Sequence, residues 1–195
     1  SATISREVPL NPLIGFIGLE TVKVSVSSTA QSSFSKGAAI SLYLVLDRSG
    51  SMSFKTDTIN KSKTTCTNYS EKTWPRVEST SPCYVSKMQS LQTAVSYLMD
   101  TLNKSDPSYA AGGSPESDLV RTGAIAYNDL PFAPRNLGWG TSSARAYVDA
   151  IAQYPTGGTN ASVALNTAFT ALRTSNTTEK SAHDAKDNKT FQRFV

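Results

Sequence analysis

The side chains of this 195-residue chain that are best suited to chemistry lie directly after an apolar run. The run covers residues 38–46, AAISLYLVL, and DRSGSM follows it, with Asp47, Ser49 and Ser51 at alternate positions. Gly50 allows the backbone to turn tightly between the two serines. A carboxylate and two hydroxyls are hard oxygen ligands, which suit Mg²⁺, Ca²⁺ or Mn²⁺ and do not suit Zn²⁺ or Cu⁺. The spacing therefore predicts a divalent-cation site on this turn.

A second polar cluster, TGGTN at residues 156–160, precedes a helical pattern and could complete the same site. Its two glycines let the backbone approach a ligand closely, and Thr159 offers one more hydroxyl. Both clusters also have a simpler interpretation. The side chains of residues 47–51 could bond the backbone of a strand-end turn, and either Thr159 or Asn160 could cap the following helix.

The charge of such a site predicts its ligand. A divalent cation held by one carboxylate and three neutral hydroxyls keeps a net positive charge, and Mg²⁺ prefers six ligands in near-octahedral geometry. The positions that the protein does not fill would attract an anionic oxygen. We therefore expect a metal-bridged contact with an exposed aspartate or glutamate of a protein partner.

The order of the predicted elements is that of an α/β protein. A continuous apolar run such as 38–46 is typical of a strand buried on both faces of a parallel sheet. Apolar residues spaced by three and four predict an amphipathic helix over residues 87–103. Two more helices are expected over 144–151 and 161–172, and strands over 119–127, over 132–137 at the sheet edge, and from residue 190.

This alternation predicts a doubly wound, mostly parallel sheet with helices on both faces. Ligands bind at the carboxyl ends of such strands, where residues 47–51 lie. Residues 174–190 are polar and are expected to form a loop, and the strand that begins at Thr190 should lie beside the strand 38–46. The chain stops at Val195 as this strand begins, so we expect an α/β domain that is incomplete at its C-terminus.

The first part of the chain has a different pattern. Val22, Val24 and Val26 alternate with polar residues, as in a half-buried strand, so residues 1–36 are expected to form a β-rich N-terminal segment. The α/β domain then covers residues 37–195.

An insertion at residues 54–87 separates the first buried strand from the first helix and is expected to be a long irregular loop. It contains six basic and three acidic residues, and so carries most of the formal net charge of +4. Two interpretations stay open: a solvated loop, or a basic rim beside the cation site that recruits an acidic partner.

Both cysteines, Cys66 and Cys83, lie in this insertion. Two cysteines are too few for a zinc site, and the single histidine, His183, is far away in the sequence. A disulfide is favoured over two free thiols, which predicts an oxidising compartment, the periplasm or the cell exterior. The position of His183 in a polar stretch argues against Ser-His-Asp or Cys-His catalysis.

Composition excludes several other classes of protein. The excess charge, although concentrated in the insertion, is too small for a nucleic-acid-binding face, which normally has a dense basic surface with aromatic residues. No run approaches the roughly 18 apolar residues that cross a bilayer, and the start does not resemble a signal peptide. We therefore expect no contact with nucleic acid, and contact with a membrane only through an anchor absent from this chain.

The pattern DxSxS at Asp47, Ser49 and Ser51, followed by TGGTN, resembles a von Willebrand factor A domain with its metal-ion-dependent adhesion site. The resemblance covers residues 37–195. It implies that the two serines bind the metal directly, that Asp47 binds it mainly through water, and that Thr159 binds it directly or through water.

One part of the family pattern is not matched. The remaining aspartate of the family's site lies on the strand after the third helix, which places it beyond Val195. Asp184 and Asp187 precede the predicted last strand and do not fit the pattern.

The β-rich N-terminal segment and the insertion make the chain similar to TadG-like proteins of the tight-adherence (Flp) pilus system. This resemblance implies a non-enzymatic, metal-dependent adhesion module of a bacterial surface or pilus-assembly protein, anchored to a membrane and exported. Two alternatives stay open: a structural scaffold whose metal site only stabilises the fold, and a metal-assisted hydrolase. The hydrolase is disfavoured because the sequence offers one carboxylate at the site and no suitable general base. A cytosolic A-domain assembly such as a chelatase also stays open, and a disulfide would argue against it.

Overall fold

The computed structural model describes residues 2–9, 21–28 and 37–195. The chain divides into two compact units, within residues 1–35 and 36–195. In the first unit, strands β1 (Ala2–Pro9) and β2 (Thr21–Ser28) pair antiparallel over their whole length. The strand predicted from the alternating valines is therefore present, whereas residues 10–20 and 29–36 of the expected β-rich segment lie outside the described residues.

The second unit is a mixture of helices and strands. In chain order it contains β3 (Ala39–Asp47), a 3₁₀ turn (Gly50–Ser53), β4 (Lys55–Ile59), β5 (Cys66–Asn68), β6 (Glu78–Thr80), β7 (Tyr84–Ser86), α1 (Lys87–Ser105), β8 (Val120–Tyr127), β9 (Arg135–Trp139), α2 (Ser142–Asp149), α3 (Ser162–Leu172), α4 (Thr177–Asp184) and β10 (Phe191–Phe194). Within the described ranges, no helix combines the length and the apolar character that crossing a membrane requires.

Four of these strands form one mixed sheet, in the order β10-β3-β8-β9. The strands β10, β3 and β8 run parallel, and β9 pairs antiparallel with β8 at the edge. The last strand lies beside the first buried one, as predicted. The edge strand is also confirmed, although it begins at Arg135, after the two prolines that cannot donate to a ladder.

Helices cover both faces of this sheet because successive side chains of a strand point to opposite sides. On one face, Leu46 packs with Met88 and Met99 of α1 and with residues of α2. On the other face, Tyr43 and Ile125 pack with α3. The helix α1 begins at a capping box, in which Ser86 and Gln89 exchange side-chain-to-backbone hydrogen bonds. The predicted α/β class and the three predicted helices are therefore confirmed.

The predicted loop over residues 174–190 is wrong, because Thr177–Asp184 is helical. Its buried face is polar, so no apolar period marks it in the sequence. Glu179 and His183 are 2% and 0% exposed and lie against Ser41 of β3. The helix is held by hydrogen bonds and by the ring of His183, which stacks on Phe191 at 3.8 Å between centroids.

The hydrogen bonds of this buried cluster fix the role of each group. Ser41 Oγ donates to Glu179 Oε1 at 2.5 Å and lies 2.8 Å from His183 Nε2. Because the serine has a single proton, His183 Nε2–H is the donor to Ser41, the reverse of a histidine that activates a serine. Arg121 Nε donates to the same carboxylate oxygen at 2.8 Å. The cluster therefore joins α4 to the sheet.

The insertion 54–87, expected to be an irregular loop, is built from two small antiparallel sheets, β4 with β7 and β5 with β6. These strands are three to five residues long and polar, so they show no alternating apolar pattern. A disulfide between Cys66 and Cys83, with the Cα atoms 5.2 Å apart, links the two sheets. The predicted disulfide is thus confirmed, and the predicted irregularity is wrong.

The buried cluster predicts how stability responds to acid. Burial disfavours the charge of Glu179, but hydrogen bonds from His183, Arg121 and Ser41 outweigh it and lower the pKa of the carboxyl from 4.5 to about 2. The ionised carboxylate therefore stabilises the fold above about pH 4.5, and this contribution is lost as the pH falls toward 2. We expect Glu179→Gln to lower the free energy of unfolding by about 3 kcal/mol at pH 7 in urea denaturation, and by less at pH 3.

The control is Asp184→Asn on the same helix, which removes an exposed pair with Lys180. This change should cost less than about 1 kcal/mol. A Glu179→Gln protein whose deficit is the same at pH 7 and pH 3 would contradict the assigned role of the carboxylate.

Candidate metal centre

The candidate centre lies at the carboxyl edge of the sheet, where β3 and β8 end side by side. Their register places Asp47 opposite Tyr127, and the backbone N–H of Arg48 donates to Tyr127 O at 2.8 Å. Burial raises the pKa of the Tyr127 hydroxyl, and the negative charge of Asp47 raises it further. The chain leaves both strands at this edge, so the loops that follow them are neighbours.

The turn after β3 orders the first three predicted ligands. Ser49 N–H donates to Asp47 Oδ1 at 2.7 Å, and the backbone then closes into the 3₁₀ turn. Asp47 is half-buried, Ser49 is buried and Ser51 is exposed. The simpler interpretation, a strand-end turn bonded by its own side chains, therefore accounts for one carboxylate oxygen of Asp47 and for one hydrogen bond between the hydroxyls of Ser49 and Ser51.

The two serine hydroxyls lie next to each other, with Ser49 Oγ and Ser51 Oγ 3.1 Å apart. Two adjacent oxygen ligands at 2.0–2.1 Å from an octahedral Mg²⁺ are separated by about 2.9 Å. The hydroxyls are thus spaced as neighbouring ligands of one such ion would be. The donor set, a carboxylate and hydroxyls, is hard in the sense that Mg²⁺ and Mn²⁺ require.

A backbone hydrogen bond joins the second predicted cluster to the first. Gly50 N–H, from the turn between the serines, donates to Gly157 O at 2.8 Å. Gly157 has a φ of +100°, a conformation that L side chains rarely adopt. Thr159 follows two residues later and is exposed. The structure therefore brings the loops 47–51 and 156–160 together at one edge.

Thr159 does not cap the following helix. The helix α3 begins at Ser162, and its cap residue, Ala161, offers no side-chain oxygen. The side chain of Asn160 instead accepts from the backbone N–H and the hydroxyl of Ser162, at 3.2 and 2.6 Å. The hydroxyl of Thr159 is thus not committed to the helix terminus.

Two further residues of this edge, Asn128 and Asp129, follow β8 and are not among the predicted site residues. Asn128 donates through its amide to Thr156 O at 2.9 Å and accepts through its backbone oxygen from Asn160 N–H at 2.6 Å. Asp129 Oδ2 accepts from Gly158 N–H at 2.8 Å. Their position directly after a predicted strand could have indicated them, because the carboxyl ends of neighbouring parallel strands meet at one edge of the sheet.

These contacts explain both glycines of the second loop. A Cβ atom on Gly157 would lie 2.6 Å from Asn128 Nδ2, and one on Gly158 would lie 2.3 Å from Asp129 Oδ1. The loop can approach β8 closely only because both positions lack a side chain. Asp129 also brings a second carboxylate to the rim of the centre.

Within the part of the chain that the structure describes, no three His, Cys, Asp or Glu side chains cluster as a metal site. The candidate centre instead depends on hydroxyl ligands around the carboxylate of Asp47, with the carboxylate of Asp129 held by Gly158 N–H at the rim. The chain matches no known protein-family model, no curated protein and no solved structure.

The close contacts around Gly158 predict that adding a single methyl group at this position lowers the stability of the protein. We expect Gly158→Ala to destabilise the protein by about 1 to 3 kcal/mol in urea denaturation, and to speed hydrogen exchange of the backbone amides at 156–160. Gly138→Ala is the matched control, because a Cβ atom there meets nothing within 4 Å.

A second variant identifies the cause. Shortening the opposing side chain by Asp129→Ala removes the atom that the new methyl group would meet, so the cost of Gly158→Ala should be smaller in that background. An equal cost in both backgrounds would show that Asp129 does not set the position of the loop.

Proposed function

We propose that the unit over residues 36–195 is a von Willebrand factor A-type domain that binds a divalent cation and uses it to capture an acidic residue of a protein partner. The proposed ligands are Asp47, Ser49, Ser51 and Thr159, and the proposed ion is Mg²⁺, with Mn²⁺ or Ca²⁺ as substitutes. The observation that carries the proposal is the hydrogen bond from Gly50 to Gly157, which joins the two polar loops beside the paired serine hydroxyls.

The architecture supports this assignment. The order β10-β3-β8-β9, with α1 and α2 on one face and α3 on the other, is compatible with a doubly wound sheet. Both candidate loops lie outside the carboxyl ends of parallel strands, which is the usual ligand-binding edge of such sheets.

The chemistry of the ligands supports a binding role. Among the four proposed ligands, Asp47 supplies one negative charge and the three hydroxyls supply none, so these ligands neutralise half the charge of a divalent ion. The bound cation supplies the remaining positive charge, which a carboxylate from outside can neutralise. The exposure of Ser51 and Thr159 leaves the approach to this edge open. Capture of an acidic side chain is therefore the function that this donor set favours.

The disulfide supports the proposed location. A bond between Cys66 and Cys83 persists in an oxidising compartment and is rare in the cytosol. On this basis the proposed adhesion module acts in the periplasm or at the cell surface. The separate resemblance of the sequence to TadG-like proteins makes a pilus-assembly protein the proposed context.

Removal of one exposed ligand tests metal binding without disturbing the core. Ser51→Ala should weaken the binding of Mn²⁺ at least about tenfold in isothermal titration calorimetry, because a direct oxygen ligand is lost. The thermal unfolding midpoint without metal should not change. The matched control is Ser175→Ala, the same loss of an exposed hydroxyl in the turn after α3. Equal Mn²⁺ affinity in all three proteins would contradict the assigned site.

A separate measurement distinguishes adhesion from a purely structural metal. A fluorescent Gly/Ser peptide that contains one aspartate should bind in Mg²⁺ and dissociate in EDTA, and Ser51→Ala should abolish its binding. If Mn²⁺ binds at the site but the peptide ignores EDTA, the metal only stabilises the fold and the protein is a scaffold.

A further inference from the structure

The insertion forms an ordered wall beside the candidate metal centre. Four aromatic rings make up this wall: Trp74 packs against Phe54 and Tyr69 with centroids 5.6 and 5.1 Å apart, and Tyr69 packs against Tyr154 at 5.5 Å. Phe54 follows the loop 47–51 and its 3₁₀ turn, and Tyr154 precedes the loop 156–160, so the wall includes residues next to both loops of the centre. Such ring pairs stabilise a fixed arrangement beyond the area they bury.

Hydrogen bonds at the base of the wall keep it in place. Asn68 is 1% exposed. Its amide donates to Tyr84 O at 3.1 Å, and its oxygen accepts from Thr80 Oγ1 at 2.6 Å. Lys55 N–H donates to Tyr69 O at 2.8 Å. With the disulfide across the same segment, the insertion is a built surface and not a solvated loop.

Trp74 places this wall directly against the turn that carries the serines. A Cβ atom on Gly50 would lie 3.2 Å from Trp74 Cζ2. Gly50 is the residue between Ser49 and Ser51. A chain that delivers a carboxylate to these hydroxyls therefore has the indole of Trp74 beside it.

Trp74 also lines a basic groove of about 440 Å³, formed by Lys72, Thr73, Trp74, Pro75, Arg76 and Val77. Lys72 and Arg76 are exposed and form no ion pair with any described residue. The groove thus presents two positive charges that are unpaired within the described ranges, and it shares Trp74 with the turn that carries the serines. Anionic side chains are the complement of such a surface.

We infer that the basic groove binds a second acidic residue of the same partner segment whose first acidic residue reaches the metal centre. The inference rests on the proposed function and narrows the partner to an extended protein segment with two acidic positions. Trp74 borders both the turn and the groove, and an extended chain advances about 3.4 Å per residue, so a second acid a few residues from the first is placed to meet the groove.

The charge pattern favours an acidic peptide over a nucleic acid. Glu71 and Glu78 lie in the same insertion as the two cations, and Glu78 pairs with Lys55 at 3.2 Å. A continuous phosphate backbone would meet these carboxylates, whereas separate acidic side chains can avoid them. A nucleic-acid surface would need a dense basic face.

The second contact gives selectivity, because each contact alone is weak. An exposed charge pair contributes little, and one carboxylate on a metal does not distinguish among acidic proteins. Two contacts on one segment reinforce each other, because the first raises the effective concentration of the second. The groove therefore selects which acidic segments the centre retains.

The test uses two fluorescent Gly/Ser peptides in Mg²⁺, one with a single Asp and one with Glu three residues after the same Asp. We expect anisotropy titrations to show that the two-acid peptide binds at least about tenfold more tightly, with a stronger dependence on salt. The double variant Lys72→Glu/Arg76→Glu should bind the two-acid peptide no more tightly than the single-acid peptide, because the groove then repels the second acid, and it should keep its affinity for Mn²⁺. The matched control, Lys61→Glu/Lys63→Glu, makes the same charge change in the same insertion, outside the groove, and should retain the preference.

The outcomes separate this inference from the proposed function. If EDTA and Ser51→Ala release the single-Asp peptide but the second acid adds no affinity, the groove has no such role and the metal-dependent capture stands. If neither peptide binds with or without Mg²⁺, both proposals fail. Binding of single-stranded oligothymidine that needs Lys72 and Arg76 but not Mg²⁺ would overturn the assignment to an acidic protein.

Discussion

The hydrogen bond from Gly50 to Gly157 is the contact on which the candidate site depends. It joins a turn fixed by β3 to a loop that lies more than 100 residues later in the chain. The loop can reach it only because Gly157 takes a left-handed conformation and Gly158 leaves room for Asp129. Without that contact, DRSGSM and TGGTN would be two unrelated polar loops. With it, the two loops meet at the carboxyl edge of one sheet.

The parts of the fold that the sequence predicts are those encoded locally. The strand β3 follows from a continuous apolar run, and α1 follows from apolar residues at helical spacing that end up against the sheet. The position of Ser49 and Ser51 follows in turn, since a polar turn after a buried strand must lie at the sheet edge. The disulfide between Cys66 and Cys83 could be predicted from the sequence because both cysteines fall in one insertion.

The missed features depend on contacts between residues distant in the sequence. The helix α4 buries Glu179 and His183, whose polarity in the sequence is typical of exposed residues. In the structure, Ser41 and Arg121 supply the hydrogen-bond partners that allow this burial. The strands of the insertion are stabilised by Asn68, a disulfide and aromatic rings, and not by an alternating apolar face. Their sequences therefore lack the period-2 apolar pattern that predicts a strand. Polar groups buried in pairs leave no hydropathy signal. Buried hydrogen bonds of this kind also make the insertion an ordered surface beside the candidate centre.

The central claim, that these two loops hold one hard divalent ion, can be tested most directly by anomalous diffraction from crystals grown with Mn²⁺. The account predicts a single strong peak within about 2.5 Å of both Ser49 Oγ and Ser51 Oγ, on the side of the loop that carries Thr159. A saturating Mn²⁺ concentration that gives no peak at these hydroxyls, or a peak bound only by carboxylates elsewhere, would contradict it.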